Sequence, residues 1–428
     1  MHFGIITPPV PGHIHPFGAL GRELLARGHR VTILQMSDIQ QLAHAQGLEF
    51  EPLGQSDHPA GSLPESLAQL GRLEGLRALR FTIRAITRTT EMICRDAPAA
   101  ILKSGIDSLL VDQTEPAGGT VAQHLGLPFV TICNALALNH DDDVPPPFTA
   151  WQYRPKLWAR ARNRLGYAVF DRIMHPVERV VSEYRKKWGL PALDTPEGSF
   201  SRLAQISQQP AAFDFPRQLP PNFHYVGPLR NPPPAPVTFP WEKLDGRRLV
   251  YASLGTLQNG KEKVFRCFAE ACLGLNVQLV ITHGGGLDEK AASSLPGKPL
   301  VVSYAPQLDV LLRSSLTLTH AGLNTVLDSL KCGVPLVAVP ITYEQPAIAS
   351  RLRWTGAGEV LPFRKLSVQR LQQAIECVLS NSSYYHKAQT LKDSIAQAGG
   401  VGKAADIVEK AVGSIPGTTA QSTRPHGT

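Results

Sequence analysis

The stretch 316–345, LTLTHAGLNTVLDSLKCGVPLVAVPITYEQ, constrains the fold of this chain more than any other. Residues 316–319 read as a short buried strand. His320, Ala321 and Gly322 turn the chain, and a helix runs on from Asn324 with Leu323, Val326, Leu327 and Leu330 as its apolar side. Gly333 stops that helix, and 335–339 reads as the next buried strand. A strand, a glycine turn and a helix start make an anion site, because the first-turn N–H groups lack partners and the helix dipole is positive there. Gly322 lets a phosphate come close to the backbone. His320 and Asn324 stand four residues apart across the turn, and Thr325 adds a hydroxyl. Asp328 lies one turn on from Asn324, on the same helix face. That spacing suits a diphosphate at the helix end and a ribose hydroxyl on Asp328.

A chain of 428 residues suggests two domains of ordinary size. Its longest apolar runs are strand-length, which predicts no membrane span. The opening MHFGIITPPVPGH has neither a basic segment nor a long apolar one and does not read as a signal peptide. Cys94, Cys133, Cys267, Cys272, Cys332 and Cys377 are scattered without metal-ligand spacing and read as buried thiols in a reducing cytoplasm. The net charge of +8 permits contact with anionic lipid or substrate. No nucleic-acid motif accompanies it.

Taken in order, 3–6 is a strand, 18–27 a helix and 30–34 a strand, a Rossmann-like opening. The loop between, TPPVPGHIHP, has one glycine where a dinucleotide fingerprint needs three, which argues against a nicotinamide oxidoreductase. The loop presents His13 and His15 at the carboxyl end of a strand, where such folds place their chemistry. Read without context, a histidine in a Pro/Gly loop is a solvated surface residue, and His15 is left as structural. Residues 63–94 read as largely helical. A strand at 108–111 ends at Asp112, which is either a plain helix cap or a carboxylate reaching the same cleft as His13. A helix at 115–125 and a strand at 128–133 follow. Asp141, Asp142 and Asp143 precede three prolines and read as a solvated acidic turn, without the companions a metal would need.

Residues 151–188 hold ten Lys/Arg against three acidic residues, with seven interleaved aromatic rings. This is either a membrane-facing or acceptor-gating helical region, or an amphipathic helical pair with an ordinary basic face. The proline-dense stretch 216–240 contains the start of a linker, placed at 232–248 after a first domain of 1–231. A second Rossmann-like domain, 249–398, has strands at 250–253, 278–282 and 300–303 and helices at 264–273 and 365–379. Residues 391–412 are helical with a break at Gly399 and Gly400, and 399–413 forms a last helix. The small, polar tail 414–428 is expected to be disordered.

These motifs resemble the UDP-dependent glycosyltransferases. That family reads T-H-C-G-W-N-S, then an acidic residue, G-V-P and D-Q. Here the chain has Thr319, His320, Ala321, Gly322, Leu323, Asn324, Thr325, then Asp328, Gly333-Val334-Pro335, Glu344 and Gln345. The resemblance implies that His320, Asn324 and Thr325 hold the diphosphate, Asp328 the ribose, and Glu344 and Gln345 the sugar hydroxyls. Ser253, Gly255 and Thr256 resemble the family's S-x-G-T phosphate loop. Tyr304, Ala305 and Gln307 lie in a Y-A-P-Q that resembles W-A-P-Q, whose aromatic stacks on uracil. Gly12, His13 and Pro16 resemble G-H-x-x-P, whose histidine is the catalytic base, and Asp112 stands where the family orients that base.

The resemblance implies the α/β GT-B fold, two Rossmann-like domains facing across a cleft, with the last helix crossing back to the first domain. A narrower resemblance, carried by VDQTEPAGGTVAQHLGLPFVTICNALALN and THAGLNTVLDSL, is to zeaxanthin (carotenoid) glucosyltransferases. It implies inverting transfer of glucose from UDP-glucose to a hydroxyl of a hydrophobic acceptor, giving a β-glucoside, with no metal or other cofactor. Sterol, macrolide and flavonoid acceptors are the alternatives. A non-catalytic partner protein of the same fold would not need both His13 and Asp112. The expected partners are a UDP-sugar donor, a lipophilic acceptor and an anionic membrane surface, and the expected place is the cytoplasm, at the membrane's inner face.

Overall fold

The computed structural model describes residues 1–71, 73, 75–231, 237–257 and 259–413. The expected tail 414–428 and the first five residues of the expected linker lie outside the described residues.

Seven strands form the first sheet: β1 (His2–Ile6), β2 (Arg30–Met36), β3 (Glu49–Leu53), β4 (Ser108–Asp112), β5 (Phe129–Cys133), β6 (Gln205–Ser207) and β7 (Phe223–Tyr225). Their order is β3-β2-β1-β4-β5-β6-β7, and every pairing is parallel. The second sheet holds β8 (Arg248–Ser253), β9 (Val277–Thr282), β10 (Leu300–Val302), β11 (Ser314–Thr319), β12 (Leu336–Ala338) and β13 (Gly358–Val360), in the order β10-β9-β8-β11-β12-β13, again parallel. Parallel strands need crossover helices on both faces, so the central runs FGII, LLV and VYA are apolar without alternation and fully buried. In each sheet the strand order reverses at one place, between β1 and β4 and between β8 and β11. Connections leave in opposite directions there and open a crevice at the strands' carboxyl ends. His13 follows β1 and Asp112 ends β4; Ser253 ends β8 and His320 follows β11.

Several elements depart from the sequence-based expectation. The first helix spans Pro11–Ala26 and so begins seven residues early. Pro11, with its preset φ and no N–H to satisfy, opens it, and His13 sits in its first turn rather than in a loop. Residues 63–94 resolve into two helices, Ser62–Gly71 and Gly75–Ser104. The basic, aromatic segment is one 31-residue helix, Leu157–Lys187, and not a pair. The acidic turn is not simply solvated: Asp142 pairs with Arg164 at 2.5 Å and Asp143 with Arg160 at 3.1 Å on that helix. The cysteines are all free thiols, but only Cys94, Cys133 and Cys272 are buried and Cys377 is exposed.

The last helix, Gly400–Gly413, leaves the second domain through a left-handed break at Gly399 (φ +92°) and Gly400 (φ +57°). Only glycine takes two such angles without strain. The Gly400 N–H then donates to Val226 O at 2.6 Å. Ala404, Ala405, Val408 and Val412 are wholly buried against Leu20 and Leu24 of the first helix. A fully buried valine stabilises by about 1.5–3 kcal/mol. Arg27 adds ion pairs to Asp406 (2.8 Å) and Glu409 (2.7 Å). The two domains also meet at a buried pair, Arg351 to Asp214 at 2.8 Å, with Tyr225 donating to the same carboxylate at 2.7 Å.

Candidate active site

On the first domain's wall, His13 Nδ1 lies 2.8 Å from Asp112 Oδ2. Asp112 is fully buried and also accepts from Asn134 Nδ2 (3.0 Å), Thr114 N (2.9 Å) and Thr114 Oγ1 (2.7 Å). A carboxylate held by these donors is ionised and only accepts, so the proton of the pair sits on Nδ1 and Nε2 carries the free lone pair. The His13 side chain is 20% exposed, which leaves one side of the ring open to the cleft. Burial opposes charge on His13, but the Asp112 charge and hydrogen bond outweigh it and hold the ring above its ordinary value. Burial likewise pushes Asp112 up, yet His13 and Thr114 prevail and hold it below the usual carboxylate range. Burial and then the Asp112 charge push Glu115 up to about 8. Glu115 is therefore mostly protonated near neutral pH, and Asp112 is the charge that governs His13.

On the second domain's wall, the helix Leu323–Lys331 starts at Gly322 with no side-chain cap. Its first-turn N–H groups remain available to an anion. His320 is packed between two glycines: a Cβ at Gly322 would stand 2.6 Å from its ring and one at Gly255 2.9 Å. Burial pushes His320 down to about 4, so its ring is neutral. Ala321 holds φ +66°, a left-handed strain at a residue with a Cβ. Ser253 Oγ accepts from Gly255 N at 3.2 Å and shapes the neighbouring turn.

The walls touch. Asn324 Nδ2 donates to Gly12 O at 2.7 Å, and Gln208 Nε2 donates to Asn324 Oδ1 at 3.1 Å. Glu344 Oε2 accepts from Leu136 N of the first domain at 3.1 Å. Burial raises the Glu344 carboxyl, with the Leu136 N–H opposing the rise. Asp328 is bonded on both oxygens, by Gln307 Nε2 (2.7 Å) and Arg230 Nε (2.6 Å). Gln345 Oε1 is committed to Ile341 N and Thr342 N, both at 2.9 Å. Thr325 is buried, Thr256 is exposed, Ala305 is half-buried, and Tyr304 is 60% exposed with its hydroxyl 3.4 Å from Gly284 O. His15 is exposed. Asn134, Gln208 and Arg230 were not foreseen. Asn134 follows the end of β5, as Asp112 ends β4, and that placement was a usable signal. Gln208 and Arg230 carry no motif.

Two doubly wound domains with a histidine–carboxylate pair on one wall and an uncapped helix start on the other have the architecture of a GT-B glycosyltransferase. The chain belongs to the UDP-glucoronosyl and UDP-glucosyl transferase family, whose model matches residues 16–396. It is 35% identical to the zeaxanthin glucosyltransferase of Pantoea ananas over 413 residues, covering 96% of this chain and 95% of that one. It is also 35% identical to the zeaxanthin glucosyltransferase of Pseudescherichia vulneris over 416 residues, covering 96% and 98%. Among solved structures, the glycotransferase of kitacinnamycin superposes with a TM-score of 0.74 at 21% identity, covering 96% of this chain and 98% of that one. The calicheamicin glycosyltransferase CalG4 gives 0.72 at 23%, with the same coverage.

Proposed function

We propose that this glycosyltransferase moves glucose from UDP-glucose to a hydroxyl of a long apolar alcohol, a hydroxylated carotenoid such as zeaxanthin, with inversion at the anomeric carbon. The observation that carries the reading is the Asn324–Gly12 contact, which brings the start of the Leu323–Lys331 helix to the residue next to His13. His13 Nε2 takes the acceptor's hydroxyl proton. The oxygen forms a bond to the anomeric carbon from the side opposite the diphosphate, the bond to the diphosphate oxygen breaks, and UDP leaves. An α-linked donor thus gives a β-glucoside. Asp112 stabilises the imidazolium formed on His13. Tyr304 offers a face to uracil, Asp328 takes the ribose, Asn324, Thr325 and His320 take the diphosphate, and Glu344 and Gln345 read the sugar. The helix start and neighbouring donors stabilise the leaving diphosphate, so no metal is required. The acceptor class is supported by the two relatives named for zeaxanthin.

Among the described residues no helix is long and apolar enough to cross a membrane. An apolar acceptor in a bilayer must then be met at its surface. The amino-terminal half of the Leu157–Lys187 helix suits that contact, with Leu157 (82% exposed), Trp158 (56%) and Leu165 (67%) outward beside Lys156, Arg160 and Arg164. Free thiols fit a reducing cytoplasm. Incubation with labelled UDP-glucose and zeaxanthin in mixed micelles, with NMR of the anomeric proton, tests the reading. A β-glucoside is expected; an α-glucoside refutes inversion, and no product with any hydroxylated carotenoid refutes the acceptor class.

A further inference from the structure

Arg230 is the last residue but one before the proline run, and its neighbour Asn231 is tied to the first helix, donating to Ala19 O at 3.2 Å and accepting from Arg22 at 3.5 Å. The Arg230 backbone therefore belongs to the first domain. Its guanidinium crosses to the second. Nε donates to Asp328 Oδ1 at 2.6 Å, Nη2 to Asn324 Oδ1 at 3.0 Å and to Asn324 O at 3.4 Å, and Nη1 to Gln208 Oε1 at 3.2 Å and to Leu229 O at 2.9 Å. Arg230 and Asp328 are 15% and 7% exposed, so the pair is nearly sealed.

Both Asp328 oxygens are thus in use, and a ribose hydroxyl needs one of them. Gln307 is poorly placed to yield, because its own amide oxygen accepts from Tyr251 at 3.0 Å within the same domain. Arg230 comes from the other domain on a long, flexible stem, and it already touches Asn324 in the first helical turn. That turn lies one helical pitch, about 5.4 Å, from Asp328. A diphosphate at the helix start is a stronger, doubly charged partner with the fork geometry that a guanidinium matches.

We infer that Arg230 is a donor-binding residue that exchanges partners: it holds Asp328 until a nucleoside diphosphate sugar arrives, then releases Asp328 to the ribose and turns to the diphosphate. The inference rests on the donor reading given above. It makes Arg230 unfavourable to the nucleoside and favourable to the phosphates, which a mere strut between domains cannot be.

Titration calorimetry of the full chain with uridine and with UDP separates the two. In Arg230→Met, UDP binding weakens by on the order of tenfold, while uridine binds as tightly as before or more tightly. Arg230→Lys, which keeps a point charge, falls between for UDP. Arg230→Gln serves if the methionine variant melts early. The deciding quantity is the preference for UDP over uridine. A preference reduced in the variants supports the exchange; an unchanged preference, with both ligands weakened alike or neither, overturns it. A wild-type chain that binds no UDP would instead sink the donor reading itself.

Discussion

Asn324 donates its side-chain amide to the main-chain oxygen of Gly12 across the cleft, at 2.7 Å. That oxygen is open to it because Pro16, four residues on in the same helix, has no N–H to give. The family-like spacing of Gly12, His13 and Pro16 thereby has a physical reading. The proline removes one helical hydrogen bond beside His13, and the second domain supplies the replacement.

Replacing His13 with Ala should lower turnover by a hundredfold or more, about the contribution of a positioned base. UDP affinity should change little, because the nucleotide signature lies on the other domain. Calorimetry and a turnover assay on one preparation check both halves. Retained turnover would remove His13 as the base.

The raised His13 value sets the pH dependence. A base acts in its neutral form, so kcat/KM should climb with pH through a midpoint above the ordinary histidine value of about 6.5. Asp112→Asn removes the charge that favours the imidazolium. Its midpoint should move to lower pH even as most activity is lost. A midpoint that stays in place would show that another group controls the profile.

Among the described residues no group of three or more His, Cys, Asp or Glu side chains is placed to hold a metal ion. Activity should therefore survive exhaustive treatment with EDTA. A loss that magnesium restores would contradict the metal-free mechanism.

Arg351→Met leaves Asp214 buried with only Arg217, at 3.6 Å, as a charged partner. Breaking a buried pair from one side costs about 3–5 kcal/mol, and the remaining arginine places this case at the low end. Urea unfolding of the variant should show an earlier midpoint and an unfolding free energy lower by about 3 kcal/mol, with the His13 pH profile unmoved.

Leu157→Glu combined with Leu165→Glu should weaken sedimentation with anionic vesicles. Each buried leucine is worth about 1.5–3 kcal/mol at an apolar surface. Glucosylation of a bilayer-embedded carotenoid should slow while that of a small soluble phenol is kept. Equal slowing of both would leave this helix as an ordinary solvated face.

The central strands and the Leu323–Lys331 helix were legible because β-branched runs and a glycine turn admit few alternatives. The start of the first helix was not: the pattern PPVPGHIHP looks like a loop, and only Pro11 at the first helical position marks the change. β3, β6, β7 and β13 escaped: EFEPL alternates at a sheet edge, and QIS, FHY and GEV are short and carry polar residues, unlike the equally short but apolar LVV and LVA of β10 and β12. His13 and Asp112 could be named from where their strands end. Their 2.8 Å approach could not, because it depends on β1 and β4 lying side by side with Ile6 opposite Val111. Arg230 was invisible for a related reason: its meaning comes from Asp328, ninety-eight residues away.

The helix Gly400–Gly413 fills the core of the domain that begins at Met1. During synthesis the first domain emerges early, with the apolar groove along its first helix uncovered. It stays so until the residues of the Gly400–Gly413 helix have left the ribosome. Completion of the first domain is thereby tied to completion of the second, and a chain cut short before Gly400 leaves the first domain with an open seam that chaperones and proteases can read.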